Sequence, residues 1–202
     1  MPNYKQIGVI AAGFLLIAVM ILSVIIPVIT GIGTNPLVNV EGIYEYSGGQ
    51  WKKINSNGTL WLPEGEGTYL IYFRNLNCPA CQQFDTVWSE YFKSYLPKSP
   101  YNITPVEIVC TFFSSSCSDP SAKATYSAIE NALGQYFGTP YLMLISNGTF
   151  LYMDFPPVTS SGTFSAQLLN QTISNAIYQH LRSIAGETNT TTQQPSNITA
   201  SS

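Results

Sequence analysis

The spacing of apolar and polar side chains predicts a run of β-strands in the first part of the folded region. GIYEYSGG, QWKKIN and TLWLP alternate between the two kinds of residue, which is typical of strands with one buried face. Asn57-Gly58 separates the last two, so the pattern predicts short strands joined as a hairpin, with a turn at these residues. TYLIYFRN, residues 68–75, is apolar almost throughout and predicts a strand buried on both faces.

A first helix and a second buried strand follow. Apolar residues recur at helical spacing from Phe84 to Tyr95, and Pro79 suits the first turn of this helix, where a missing N–H costs nothing. Pro97 ends the pattern. ITPVEIVCTFF, residues 103–113, predicts a second buried strand, and because a helix connects it to residues 68–75 the two are expected to run parallel.

The later pattern predicts another helix, a hairpin and a last helix. SDPSAKATYSAIENALGQYFG offers Ser118 or Asp119 as a cap and is expected to end at Gly138. PYLMLIS and TFLYMDF are joined by Asn147-Gly148, which is a strong hairpin signal. An amphipathic helix is predicted over residues 164–184.

The order of elements predicts an α/β domain with a mixed central sheet flanked by helices, over residues 41–185. A short linker containing Gly and Pro, residues 31–40, precedes it. Residues 186–202 are rich in Ser, Thr and Asn and have nothing to bury, so we expect a disordered tail. Residues 1–6 and 7–30 form a separate N-terminal part.

An uncharged apolar run from Ile7 to Ile29 exceeds the roughly 20 residues that span a bilayer. The alternative is a cleaved signal peptide, whose apolar core is usually about 7–15 residues. The longer run favours an uncleaved single-pass anchor over residues 7–30. Lys5 precedes it and no Lys or Arg follows until Lys52, so we expect residues 1–6 in the cytoplasm and the domain outside the cell membrane.

Composition and sequons agree with an exterior location. Charged residues make up 9% of the chain, the net charge is −3 and no basic run is present, which argues against a nucleic-acid partner. N-x-Ser/Thr triplets predict glycosylation on an exterior face. They begin at Asn57, Asn102, Asn147, Asn170, Asn189 and Asn197.

Four cysteines occur as Cys78-x2-Cys81 and Cys110-x6-Cys117. A zinc site is one candidate, but the second pair lacks the spacing of a second zinc knuckle, and an oxidising exterior favours disulfides. We therefore expect no metal and no other cofactor. A purely structural Cys78–Cys81 disulfide would close too small a loop to stabilise the fold much.

Redox chemistry suits the first pair better. Cys78 is expected at the helix N-cap, where unpaired N–H groups and the helix dipole stabilise a thiolate. Cys81, one turn later, is placed to resolve a mixed disulfide. We therefore predict that Cys78 and Cys81 are catalytic.

The strand, the CPAC helix start and the segment FGTPYLMLISNGTFLYMDF together resemble the thioredoxin superfamily, which includes thioredoxins, glutaredoxins and DsbA-like proteins. The resemblance covers about residues 67–185. It implies that Pro140 is a cis proline facing the cysteines. It also implies that Thr139, with Pro79 and Ala80, lies where an extended substrate segment binds.

The chain departs from the family pattern at one position near the site. Many members carry a carboxylate six residues before the first cysteine, and Tyr72 stands there in this chain. The family's proton relay is therefore not carried over. Pro-Ala between the cysteines is nearer to the glutaredoxin and DsbA-like pairs, which favours an oxidant or isomerase over a strong reductant. Arg74 is expected on the surface, the alternative being a residue that stabilises the thiolate.

Cys110 and Cys117 are expected to form a structural disulfide, and a second redox pair is the alternative. For the whole chain, the leading hypothesis is a membrane-anchored thiol–disulfide oxidoreductase acting on exported proteins together with a redox partner protein. A non-catalytic docking subunit of a membrane or cell-envelope complex is the main alternative. A structural envelope protein is a third, but it leaves the CPAC arrangement unexplained.

Overall fold

The computed structural model describes residues 36–186. The predicted N-terminal segment and anchor, the first half of the linker, the tail after Gly186, and the sequons at Asn189 and Asn197 lie outside these residues. Within residues 36–186, no helix is both long and apolar enough to cross a membrane.

A six-stranded mixed sheet forms the centre of the described region. Its strands are β1 (Gly42–Ser47), β2 (Gln50–Ile54), β3 (Thr68–Asn75), β4 (Ile103–Cys110), β5 (Tyr141–Ser146) and β6 (Thr149–Asp154). The spatial order is β2-β1-β4-β3-β5-β6. Only β3 and β4 pair in parallel, and every other neighbouring pair in this sheet is antiparallel. The predicted mixed sheet and the parallel pairing of the two buried strands are confirmed.

The first hairpin differs from the prediction. β1 and β2 are joined at Gly48-Gly49, whose positive φ values of 63° and 84° suit a two-residue hairpin turn. Asn57-Gly58 does form a turn, but TLWLP after it is not a strand. The Trp61 N–H donates to the Thr125 hydroxyl at 3.0 Å, so this segment is attached to a helix and joins no strand.

Three helices flank the sheet: α1 (Pro79–Glu90), α2 (Pro120–Leu133) and α3 (Ala166–Ile184). A π-helical turn, Tyr91–Tyr95, and a 3-10 turn, Leu96–Lys98, extend α1 over the predicted range. The cap of α2 is Asp119, which accepts the Ala122 N–H at 2.9 Å. This helix ends at Gly134 and not at Gly138, because Gly134 adopts a positive φ of 55° that stops it.

Two apolar layers cover the sheet. Ile71 and Phe73 of β3 pack in a core with α2, whereas Leu70 and Tyr72 pack in a second core with α1 and α3. All four side chains are fully buried, which explains why this strand is apolar on both faces. Because β3 and β4 are parallel, their carboxyl ends meet at one edge of the sheet, and α1 begins there.

Candidate redox site

Cys78 is the N-cap residue of α1. Its backbone is extended (φ −93°, ψ 117°), and its sulfur accepts the Cys81 N–H at 3.2 Å. Pro79 is the first helical residue, as the sequence predicts. The Cys78 sulfur therefore lies at the positive end of the helix dipole and accepts a backbone N–H donor.

Cys81 lies one turn further, in a different environment. Both thiols are free, but Cys81 is fully buried while 9% of Cys78 is exposed. Burial raises the pKa of Cys81 to about 12, although hydrogen bonds from the Asn75 backbone and from Thr139 oppose this rise. A reagent from solvent therefore meets Cys78 before Cys81.

The Thr139–Pro140 peptide bond is cis and lies against the cysteines. The Cys78 thiol donates to the Thr139 carbonyl at 3.3 Å, and the Asn75 side-chain amide donates to the Thr139 hydroxyl at 2.9 Å. The structure thus brings Cys78, Cys81, Thr139 and Pro140 together. Of the other predicted site residues, Pro79 is exposed and Ala80 is half-buried in the first turn of α1.

A buried ion pair lies beneath the cysteines. Arg74 donates to the Asp85 carboxylate through both Nε and Nη2, at 2.7 Å each, and the Tyr72 hydroxyl donates to the same carboxylate at 3.0 Å. The Tyr72 hydroxyl also lies 3.4 Å from the Cys81 carbonyl oxygen. The expected surface position of Arg74 is wrong: this side chain is only 6% exposed, because α1 presents Asp85 to it in a two-bond pairing.

A second buried carboxyl group belongs to Glu107 of β4, which pairs with Tyr72 across the parallel strands. It accepts the Trp88 indole N–H at 2.8 Å and the Val38 N–H at 2.9 Å. Burial raises the pKa of Glu107 to about 8. Sequence reasoning did not single out Asp85 or Glu107, although an acid inside the apolar run ITPVEIVC was a signal that could have found Glu107.

Cys110 and Cys117 form a disulfide and are both buried. They lie beside residues 76–78, the segment that leads into α1, because the Leu76 N–H donates to the Cys110 carbonyl at 2.9 Å and the Asn77 N–H donates to the Thr111 carbonyl at 3.1 Å. Two of the four sulfurs that a four-cysteine zinc site would use are therefore bonded to each other. In the described part of the chain, no cluster of His, Cys, Asp or Glu is arranged to hold a metal ion.

Aromatic side chains form a continuous arc around the Thr139 turn. Successive ring centroids are 4.7, 6.4, 5.2 and 5.7 Å apart along Phe112, Phe113, Phe137, Tyr141 and Phe155. Phe112 and Phe155, the two ends of the arc, are each 46% exposed. Phe155 lies against Gly138, where an added Cβ would be 3.0 Å from its ring. The site is thus bordered by exposed apolar surface.

The described sequons are accessible to different degrees. Asn57, Asn102 and Asn147 are exposed, whereas Asn170 is half-buried within α3. The Asn147 side-chain oxygen accepts the Gly67 N–H at 2.9 Å, so this bond does not involve the side-chain amide nitrogen.

Comparison with known proteins gives one solved structure of interest. No family model matches the chain, and no curated protein matches it in sequence. The crystal structure of thioredoxin from Aeropyrum pernix is similar to it at 15% sequence identity, with a TM-score of 0.42. That likeness covers 72% of this chain and 99% of the thioredoxin chain.

Proposed function

We propose that this protein is a thioredoxin-like thiol–disulfide oxidoreductase, anchored in the cell membrane through residues 7–30 and acting outside it on exported proteins. The observation that carries the proposal is the position of Cys78. Its sulfur caps α1, lies 3.3 Å from the Thr139 carbonyl, and has Cys81 one turn behind it. A cysteine that caps a helix, with a second free thiol one turn behind it, is an arrangement that supports stepwise thiol exchange.

The reaction transfers two electrons in two exchanges. In the reducing direction, the Cys78 thiolate attacks one sulfur of a client disulfide, and the other client sulfur leaves as a thiolate. Cys81 then loses its proton and attacks the Cys78 sulfur, which releases the second client thiolate and forms the Cys78–Cys81 disulfide. In the oxidising direction a client thiolate attacks Cys78 in that disulfide, and the same bonds change in reverse. A redox partner protein resets the pair after each cycle.

The surroundings of Cys78 favour a protein client over a small thiol. The exposed ends of the aromatic arc, Phe112 and Phe155, offer apolar contact to such a client. An extended client segment lying along this turn would bring its own sulfur to Cys78. The low charge of the chain and the exposed sequons support an exterior location for such clients.

The proposal is tested by turnover. Reduction of insulin, or reshuffling of a scrambled disulfide substrate, is expected to be abolished by Cys78→Ser. The matched control, Cys110→Ser with Cys117→Ser, removes the other pair and is expected to retain turnover. Turnover that survives Cys78→Ser would falsify the proposal.

The buried state of Cys81 favours a second function, that of a docking subunit which holds clients covalently. A resolving thiol with no exposed surface and a pKa of about 12 attacks slowly, so a mixed disulfide at Cys78 would last longer. Client complexes that accumulate on the wild-type chain as much as on Cys81→Ser, with little turnover, would favour docking. Complexes that accumulate only on Cys81→Ser would favour the enzyme.

A further inference from the structure

The Glu41 carboxylate, one residue before β1, binds both residues that directly follow the disulfide cysteines. The Thr111 N–H donates to Oε1 at 2.6 Å and the Ser118 N–H donates to Oε2 at 2.7 Å. The Ser118 hydroxyl also donates to Oε2. One side chain therefore closes the same loop that the Cys110–Cys117 disulfide closes covalently.

The loop held by Glu41 also binds residues 76–78, the segment that leads into α1. The peptide unit between Cys110 and Thr111 is bonded on both sides, since its C=O accepts the Leu76 N–H and its N–H donates to Glu41. The next carbonyl, that of Thr111, accepts the N–H of Asn77, the residue before Cys78. A continuous series of hydrogen bonds thus connects the Glu41 carboxylate to the backbone that sets the Cys78 N-cap.

We propose that Glu41 is a positioning residue for Cys78, which acts by fixing Thr111 and, through it, the backbone of residues 76–78. The inference rests on the proposed function, because it concerns the reactivity of the same sulfur. An N-cap stabilises a thiolate only while its backbone keeps the sulfur on the helix axis, next to the free N–H groups. Without Glu41, Thr111 loses the bond at its N–H, and the residue whose carbonyl accepts the Asn77 N–H is held less firmly.

The Glu41 carboxylate stays ionised at every pH well above its pKa of about 2. Burial acts to raise its pKa, but the hydrogen bonds from Ser118 and Thr111 outweigh this and lower the pKa of Glu41 to about 2. The contacts therefore remain charge-assisted in any mildly acidic or neutral exterior, and such bonds are stronger than neutral ones.

The experiment compares three variants of the full-length chain. Glu41→Ala removes both acceptors, Glu41→Gln keeps one of them, and Glu45→Ala removes a carboxylate from β1 as the matched control. The readouts are the rate of Cys78 alkylation by iodoacetamide across pH in the folded, reduced protein, and the reduction potential of the Cys78–Cys81 pair.

Glu41→Ala is expected to slow Cys78 alkylation at neutral pH about threefold or more, within the range seen for couplings through packed networks. The midpoint of the alkylation profile is expected to move to higher pH, and the potential to become more negative, because the thiolate of the reduced form is less stabilised. Glu41→Gln should recover part of both effects, and Glu45→Ala should show neither.

A variant with a lower melting temperature but an unchanged alkylation profile and potential would overturn the inference, because Glu41 would then be structural only. Iodoacetamide requires no client, so this outcome is independent of whether the protein turns over a client. A chain that fails the insulin assay but shows the Glu41 effect would contradict the proposed function alone.

Discussion

The two cysteine pairs lie side by side at one edge of the sheet, yet their environments differ. Cys78 caps a helix, is 9% exposed and accepts a backbone N–H, whereas Cys110 ends a buried strand and is bonded to Cys117. Cys78 and Cys81 are free thiols, whereas Cys110 and Cys117 are joined in a disulfide. We therefore expect exchange at the first pair and a persistent disulfide at the second, since exposure and thiolate stabilisation govern cysteine reactivity.

The surroundings of the first pair differ just as much from the core on the other side of the sheet. Beneath Cys81, the α1 face of the sheet contains Arg74, Asp85 and Glu107, all buried, together with the Tyr72 hydroxyl. The α2 face, where Cys110 and Cys117 pack, is an apolar and aromatic cluster. Polar groups thus lie on the side of Cys81, whose thiol loses a proton in the proposed exchange, and apolar packing surrounds the Cys110–Cys117 disulfide.

The largest expected contrast lies within the first pair. In the reduced, folded protein, iodoacetamide should modify Cys78 at least about a thousandfold faster than Cys81, because only thiolates react and Cys81 is buried with a pKa of about 12. Mass spectrometry of peptides after timed quenching measures both rates. Equal rates would show that the two thiols share one environment.

Graded reduction should separate the two pairs. We expect the Cys78–Cys81 disulfide to open first as the potential is lowered, and the buried Cys110–Cys117 disulfide to persist until at least about 60 mV lower, since strained or accessible disulfides are the more oxidising ones. Alkylation and mass spectrometry at each potential follow the four sulfurs. Should both pairs titrate together, Cys110–Cys117 would be a second redox pair, the alternative that the sequence leaves open.

Removal of the second disulfide should affect stability more than activity. Cys110→Ser with Cys117→Ser is expected to lower the free energy of unfolding by about 2 kcal/mol, the loop-closure value for so short a loop. Client turnover should remain, because Glu41 still binds Thr111 and Ser118. Denaturant unfolding and the insulin assay measure the two effects. Turnover lost in a variant that still folds would assign this pair a role in catalysis.

Much of the fold could be predicted because its signals are local. The apolar runs at residues 68–75 and 103–113 predict buried strands, and Pro79 and Asp119 place the starts of two helices. The Cys78 cap follows from the same signals, since a Cys-Pro pair after a buried strand has few other places to lie. The misplaced hairpin also has a local cause: Gly48-Gly49 and Asn57-Gly58 both adopt positive φ, but only Gly48-Gly49 joins two strands.

The polar cluster could not be predicted in the same way. Arg74 looked like an ordinary strand-end cation, and its burial depends on Asp85, which reaches it only once α1 packs on the sheet. Glu41 contacts Thr111 and Ser118, about 70 residues further along the chain. Such pairings depend on the sheet order, and one sequence gives no direct signal of it.

The last expected contrast is a pH dependence that belongs to the polar side alone. Burial raises the pKa of Glu107 from its ordinary 4.5 to about 8, so between these values the folded chain binds a proton that the unfolded chain does not. The Glu107 contribution to stability is therefore fully present below about pH 4.5 and is lost as the pH rises through 8, with a slope of at most about 1.4 kcal/mol per pH unit.

Glu107→Gln should flatten the pH profile of the unfolding free energy in this window, whereas Glu45→Gln on half-exposed β1 should leave it unchanged. Denaturant titrations from pH 4 to pH 9 give the three profiles. Since Gln can accept only one of the two N–H groups that Glu107 binds, a lower stability at every pH is compatible with this account, but an unaltered slope is not.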